Sequence, residues 1–63
     1  MERTAEWYEV PDAVKHDFWV GKPLFIGVVY EGRRILTTVE VDSAAEAIAW
    51  ARDSYGLAAT ESK

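Results

Sequence analysis

Leu24-Phe25-Ile26-Gly27-Val28-Val29-Tyr30 and Arg34-Ile35-Leu36-Thr37-Thr38-Val39-Glu40-Val41, with Glu31-Gly32 between them, decide the fold. Both runs are rich in β-branched and aromatic residues and are bounded by turn formers, so they read as a β-hairpin. The hydrophobic pattern selects a register. A two-residue loop at 31–32 pairs Tyr30 with Arg33, Val28 with Ile35, Ile26 with Thr37 and Leu24 with Val39. That pairing gathers Leu24, Ile26 and Val28 with Ile35, Thr37 and Val39 on one face, and a four-residue loop preserves it. A three-residue loop slips the register by one and sets Arg34 and Glu40 beside the aliphatics, flipping every side chain. The even loop is therefore expected.

A helix follows at once, over roughly 44–55. Ser43 and Glu46 have the spacing of a capping box, and Gly56 stands where a left-handed residue ends a helix, with Leu57 folding back behind it. Ala44, Ala47, Ile48, Ala51 and Tyr55 fall on one side at helical spacing, with Trp50 at the edge of that stripe or off it. Upstream, Thr4–Val10 favours a strand that ends at Pro11. The stretch 11–19 reads equally as a short helical turn near 12–17 or as an irregular connection, and Gly21-Lys22-Pro23 closes it. The expected fold is a single α+β domain over residues 1–63. It is a three-stranded antiparallel sheet (β-β-β-α) with one C-terminal helix packed on one face, and residues 1–3 and 58–63 frayed.

The chain has 63 residues, and a domain of that size buries only about 60% of its unfolded surface. Small domains often add disulfides, a structural metal or a partner. No cysteine is present and His16 is the one histidine, so thiolate and His-rich metal sites are excluded and no cofactor or metal is expected. Association with another chain gains weight by elimination. No apolar run approaches the roughly 18 residues of a membrane span, and Met1–Glu6 lacks the basic and apolar regions of a signal peptide. A cytoplasmic protein is expected, in the host cytoplasm if it is phage-encoded. The net charge is −4 and the basic residues are scattered, which disfavours phosphate-backbone binding.

A sheet has two faces, and one short helix covers one of them. The face with Leu24, Ile26, Val28, Ile35, Val39 and Val41 is the expected seat of the helix. The other would carry an apolar patch of Phe25, Val29 and Leu36, rimmed by Arg34, Thr38 and Glu40. Apolar patches with polar rims often mark interaction sites. Residues 7–20 could wrap back over this patch, using Trp7, Val14, Phe18 and Trp19, or another protein or a second copy could meet it, and the two can coexist if the segment covers only part of the face. Aromatics outnumber what so small a core needs, which adds Trp19 and Trp50 to the expected protein interface of Phe25, Val29 and Leu36.

Other chemistry weighs less. His16 has Asp12 and Asp17 nearby, yet a metal needs three or four convergent ligands. Glu40, Asp42 and Glu46 gather at the strand-to-helix junction, where carboxylates favour a helix N-terminus. Ser43 and Ser54 lack a histidine at a recognisable spacing, and the glycines form no phosphate loop. No enzyme is expected. Arg33 and Arg34 at the hairpin tip, with Lys22, form the alternative contact set of a nucleic-acid module. The acidic surface could instead mimic a nucleic acid.

The order strand, hairpin, helix, with Val41-Asp42-Ser43-Ala44-Ala45-Glu46-Ala47-Ile48-Ala49-Trp50, resembles the three-strand-plus-helix N-terminal DNA-binding domains of tyrosine integrases over about residues 24–55. The basic sheet face of those domains is missing here, so the resemblance implies the fold and not DNA binding. Residue usage and length also look like small uncharacterised proteins of actinobacteria and their bacteriophages. That resemblance implies a small acidic protein that binds one host protein. The expected function is thus a non-enzymatic protein-binding module that self-associates, as a homodimer or higher homo-oligomer.

Overall fold

A computed structural model describes residues 2–15 and 17–62; Met1, His16 and Lys63 lie outside the described residues. The chain runs β1 (Arg3–Glu9), a 3₁₀ turn (Asp12–Val14), a second 3₁₀ turn (Asp17–Trp19), β2 (Phe25–Glu31), β3 (Arg34–Val41), α1 (Ala44–Tyr55) and β4 (Ala59–Glu61). The sheet has four strands in the order β3-β2-β1-β4. β2 pairs antiparallel with β1 and β3, whereas β4 runs parallel to β1. The α+β class and the single helix agree with expectation, but the sheet is mixed and one strand wider.

The added strand corrects the expectation of a frayed tail over 58–63. Gly56 adopts φ 66° and turns the chain back, with its N–H donating to the Arg52 carbonyl and that of Leu57 to the Ala51 carbonyl. Leu57 and Ala59 then pack against the core, and Ser62 N–H donates to the Trp7 carbonyl at 2.8 Å. The free edge of β1 supplies what three residues of weak strand propensity lack alone. At the other end, β1 begins at Arg3, within the stretch expected to fray.

The hairpin turn also differs by one residue. Glu31 pairs with Arg34 and Tyr30 with Ile35, so the two loop residues are Gly32 and Arg33. Gly32 has φ 62°, and among the described residues only glycines have a positive φ, which puts glycine at the first central position, as a type II′ turn requires. The ladder then shifts. Beyond Tyr30 and Ile35, Val29 pairs with Thr37, Val28 with Thr38, Gly27 with Val39, Ile26 with Glu40 and Phe25 with Val41. Leu36 is the extra residue, a β-bulge that reverses the parity of the rest of β3.

That reversal exchanges the faces. The helix sits on the side of Ala5, Trp7, Phe25, Gly27, Val29, Val39 and Val41, not on the side of Ile26 and Val28. Ala5, Val29 and Ala51 form the core, with Trp50, Tyr55, Leu57 and Ala59 packed around it, and Val29, Ala47 and Ala51 are fully buried. Gly27 explains the choice. A Cβ there would lie 2.9 Å from Trp50 Cε3 and 3.0 Å from Val39 Cγ1, so the indole occupies the space a side chain would fill. Trp50 is thus a packing residue, with its ring edge-on to Tyr55 at 5.5 Å, while Ile48 moves to the periphery. The helix starts as expected, with Ser43 Oγ accepting from Glu46 N–H at 3.2 Å.

Gly27→Ala is expected to cost about 1–3 kcal/mol, the usual range for overpacking, read as a lower urea midpoint with an unchanged slope. Ser43→Ala is expected to cost about 1 kcal/mol by loss of the cap.

Candidate functional site: the open sheet face

The even-numbered residues of β1 and β2 point away from the helix. Register places Tyr8, Ile26 and Glu40 side by side, then Glu6, Val28 and Thr38, then Thr4, Tyr30 and Ile35. The centre of this open face is apolar: Ile26, Val28 and Tyr30 lie along β2, between Tyr8 on β1 and Ile35 on β3. Val28 is 4% exposed, whereas Tyr8 is 40% and Ile35 61% exposed. The rim carries Thr4, Glu6, Thr38 and Glu40.

Of the expected interface residues, Val29 is fully buried beneath the helix, and Phe25 is half-buried on the same side, 5.9 Å from Trp7 between ring centroids. Trp50 is half-buried over Gly27. Phe25 and Val29 lie on the side of the sheet that seats the helix, and Trp50 reaches that side from the helix. Leu36, the bulged residue, is exposed at 42%. Trp19 is half-buried in the loop between β1 and β2, edge-on to Phe18 at 5.3 Å. The residues missed were Tyr8, Ile26, Tyr30 and Ile35. One sequence signal pointed to them: a glycine inside a strand marks the close approach of another element, and Gly27 therefore marked the helix side.

Local ties shape the described residues of the loop between β1 and β2. Val10 N–H donates to the Leu24 carbonyl at 2.9 Å and closes its base, and Leu24 is buried there. Lys15 pairs with Asp12 at 2.7 Å and also donates to the Lys22 carbonyl, and its side chain is only 6% exposed. Gly21, at φ 80°, shapes the turn that Lys22 N–H closes on the Trp19 carbonyl. Val14, Phe18 and Val20 project outward and are well exposed. Val14 and Phe18 are therefore not buried over Phe25 and Val29, which lie on the helix side of the sheet.

The basic residues do not converge. Lys22 precedes β2 with its Nζ 4.5 Å from the Phe18 ring centroid, while Arg33 and Arg34 follow the other end of β2. Seven residues of strand lie between, about 23 Å at the usual rise. Next to the tip, Arg3 Nε and Glu31 Oε2 form an ion pair at 3.2 Å on the helix side. Among the described residues no group of three or more metal-ligating side chains occurs and no pocket is present. The expected pairing of His16 with Asp12 or Asp17 involves a residue outside the described ones.

At the helix start, both Asp42 and Glu46 are exposed. The Glu46 carboxyl is raised above the usual carboxylate range, first by the charge of Asp42 and then by a hydrogen bond to it. Glu46 thus turns its side chain to Asp42 and supplies its backbone N–H to Ser43. No family model, curated protein or solved structure matches the chain.

A carboxyl whose folded pKa exceeds its unfolded value holds its proton better in the folded state, so this pair favours folding below that range and opposes it as pH rises through it. Asp42→Asn is expected to return Glu46 to the ordinary range in an NMR titration of its side-chain carboxyl carbon. It is also expected to leave the acid-side stability unchanged.

Proposed function

We propose that the chain is a non-enzymatic protein-binding module that docks its partner on the open sheet face. One observation carries this reading: Tyr8, Ile26, Val28, Tyr30 and Ile35 form an apolar centre on the sheet face opposite the helix. Polar residues rim that centre, the arrangement of an interaction patch. Two tyrosines within it suit a contact surface, since their rings bury much area while their hydroxyls stay hydrated or find a partner.

A protein is favoured over nucleic acid as partner. Glu6 and Glu40 lie on the face itself, and Lys22 is a strand length away from Arg33 and Arg34. A polyanion would meet carboxylates on the rim and isolated cations at the ends. A binding role also suits the Asp42–Glu46 pair better than acid–base catalysis does. Both carboxyls are exposed, and desolvation is the smallest of the causes that raise Glu46, whereas burial tunes a general acid.

The test is affinity capture from lysate with the full chain as bait, alongside Ile35→Asp and Phe18→Asp baits whose urea midpoints match wild type. The reading expects a saturable protein partner, this chain itself included, whose recovery falls at least tenfold with Ile35→Asp and persists with Phe18→Asp. Equal recovery by all three baits, or salt-sensitive recovery of nucleic acid alone, overturns it.

A further inference from the structure

We propose that β4 is a latch that opens as a unit about Gly56, baring one edge of β1 while the helix and the rest of the sheet stay folded. The device is independent of what the open face binds. Proteins open locally where few apolar groups are buried and where backbone bonds lie at an accessible edge. β4 has both characters.

β4 holds three residues, Ala59–Glu61, and takes an outermost place in the sheet. It covers Ala5, Glu6 and Trp7 of the seven residues of β1. Thr60 and Glu61 are exposed, which leaves half-buried Ala59 as the residue of this strand that packs against the core. Of the three, threonine alone favours a strand. The tie just beyond them is the bond from Ser62 N–H to the Trp7 carbonyl. β2 is the opposite case. It lies between β1 and β3, is paired on both sides along its whole length, and buries Val28 and Val29.

The latch has a defined hinge. Gly56 holds φ 66°, and a Cβ there would meet nothing within 4 Å, so its backbone has room to swing. Glycine passes between left-handed and extended conformations at little steric cost. Before the hinge, Gly56 N–H donates to the Arg52 carbonyl and finishes α1. Past it, Leu57 N–H donates to the Ala51 carbonyl, and Leu57 and Ala59 pack at the margin of the core. A swing at Gly56 therefore releases the Leu57 and Ser62 bonds together and leaves the turns of α1 intact. The Trp7 carbonyl and the edge around it are then unpaired, the form in which a strand accepts an extended backbone. How often that edge is offered depends on β4.

Amide hydrogen exchange of the full chain, followed by NMR across a series of low urea concentrations, tests the latch. The Leu57 and Ser62 amides are expected to open with matching protection, at least about a hundredfold below that of Val29. Their protection is expected to depend little on urea, because the opening exposes little surface. Thr60→Pro removes a donor from the middle of β4. It is expected to lower Leu57 and Ser62 protection at least about tenfold further while Val29 protection and the helical circular dichroism persist. Loss of protection at Ser62 alone, with Leu57 as protected as Val29, overturns the latch, since one bond and not a unit would be opening. Equal protection and equal urea dependence for Leu57, Ser62 and Val29 overturns it as well, because β4 would then open only with the whole fold. A Thr60→Pro chain that loses Val29 protection or its helix has the same consequence, since β4 would be integral to the fold.

Discussion

The seat of the Trp50 indole over Gly27 is the contact on which the remaining architecture depends. A side chain at position 27 would collide with the ring, so the only residue without one sits at the crossing of helix and central strand. The close approach brings Ala47 and Ala51 to full burial and lets one helix of 12 residues touch all four strands. By crossing from β3 to the far edge, α1 also delivers the chain to β1, where β4 adds in parallel. Sheet width, the covered face and the exposed face all follow from this one fit.

Much of the fold was legible because its punctuation is chemical. Ser43 and Gly56 bracket the helix, and both act as their positions imply, one through its hydroxyl and the other through a left-handed backbone. Gly32 marks the hairpin, though as the first residue of the turn and not the second. The bulge was not legible. Hydrophobic alternation defines a face only while the ladder is continuous, and Leu36 breaks it without any change in residue character. β4 was hidden for another reason: Ala59, Thr60 and Glu61 carry little strand signal and pair only because β1 leaves an edge free.

The candidate site shows the same division. That a hairpin with one helix leaves a second apolar face follows from counting layers, and the folded chain has such a face. Its members depend on parity, which exchanged Phe25 and Val29 for Tyr8, Ile26, Tyr30 and Ile35, while Trp50 is held over Gly27. Leu36 and Trp19 stand apart from that exchange, one at the bulge and one in the loop. Among the described residues, the loop is tied by Lys15 to Asp12 and to the Lys22 carbonyl.

The bulge also resets the hydrophobic phase within a single strand. Ile35 belongs to the open face, while Thr37 and Val39, two and four positions later, belong to the helix side. β3 therefore behaves as two half-strands joined out of step, one serving the outside and the other the interior. A polarity rule inferred from either half gives the wrong answer in the other. Removing or adding one residue near Leu36 would alter which layer each half addresses, although the composition of the strand would scarcely change.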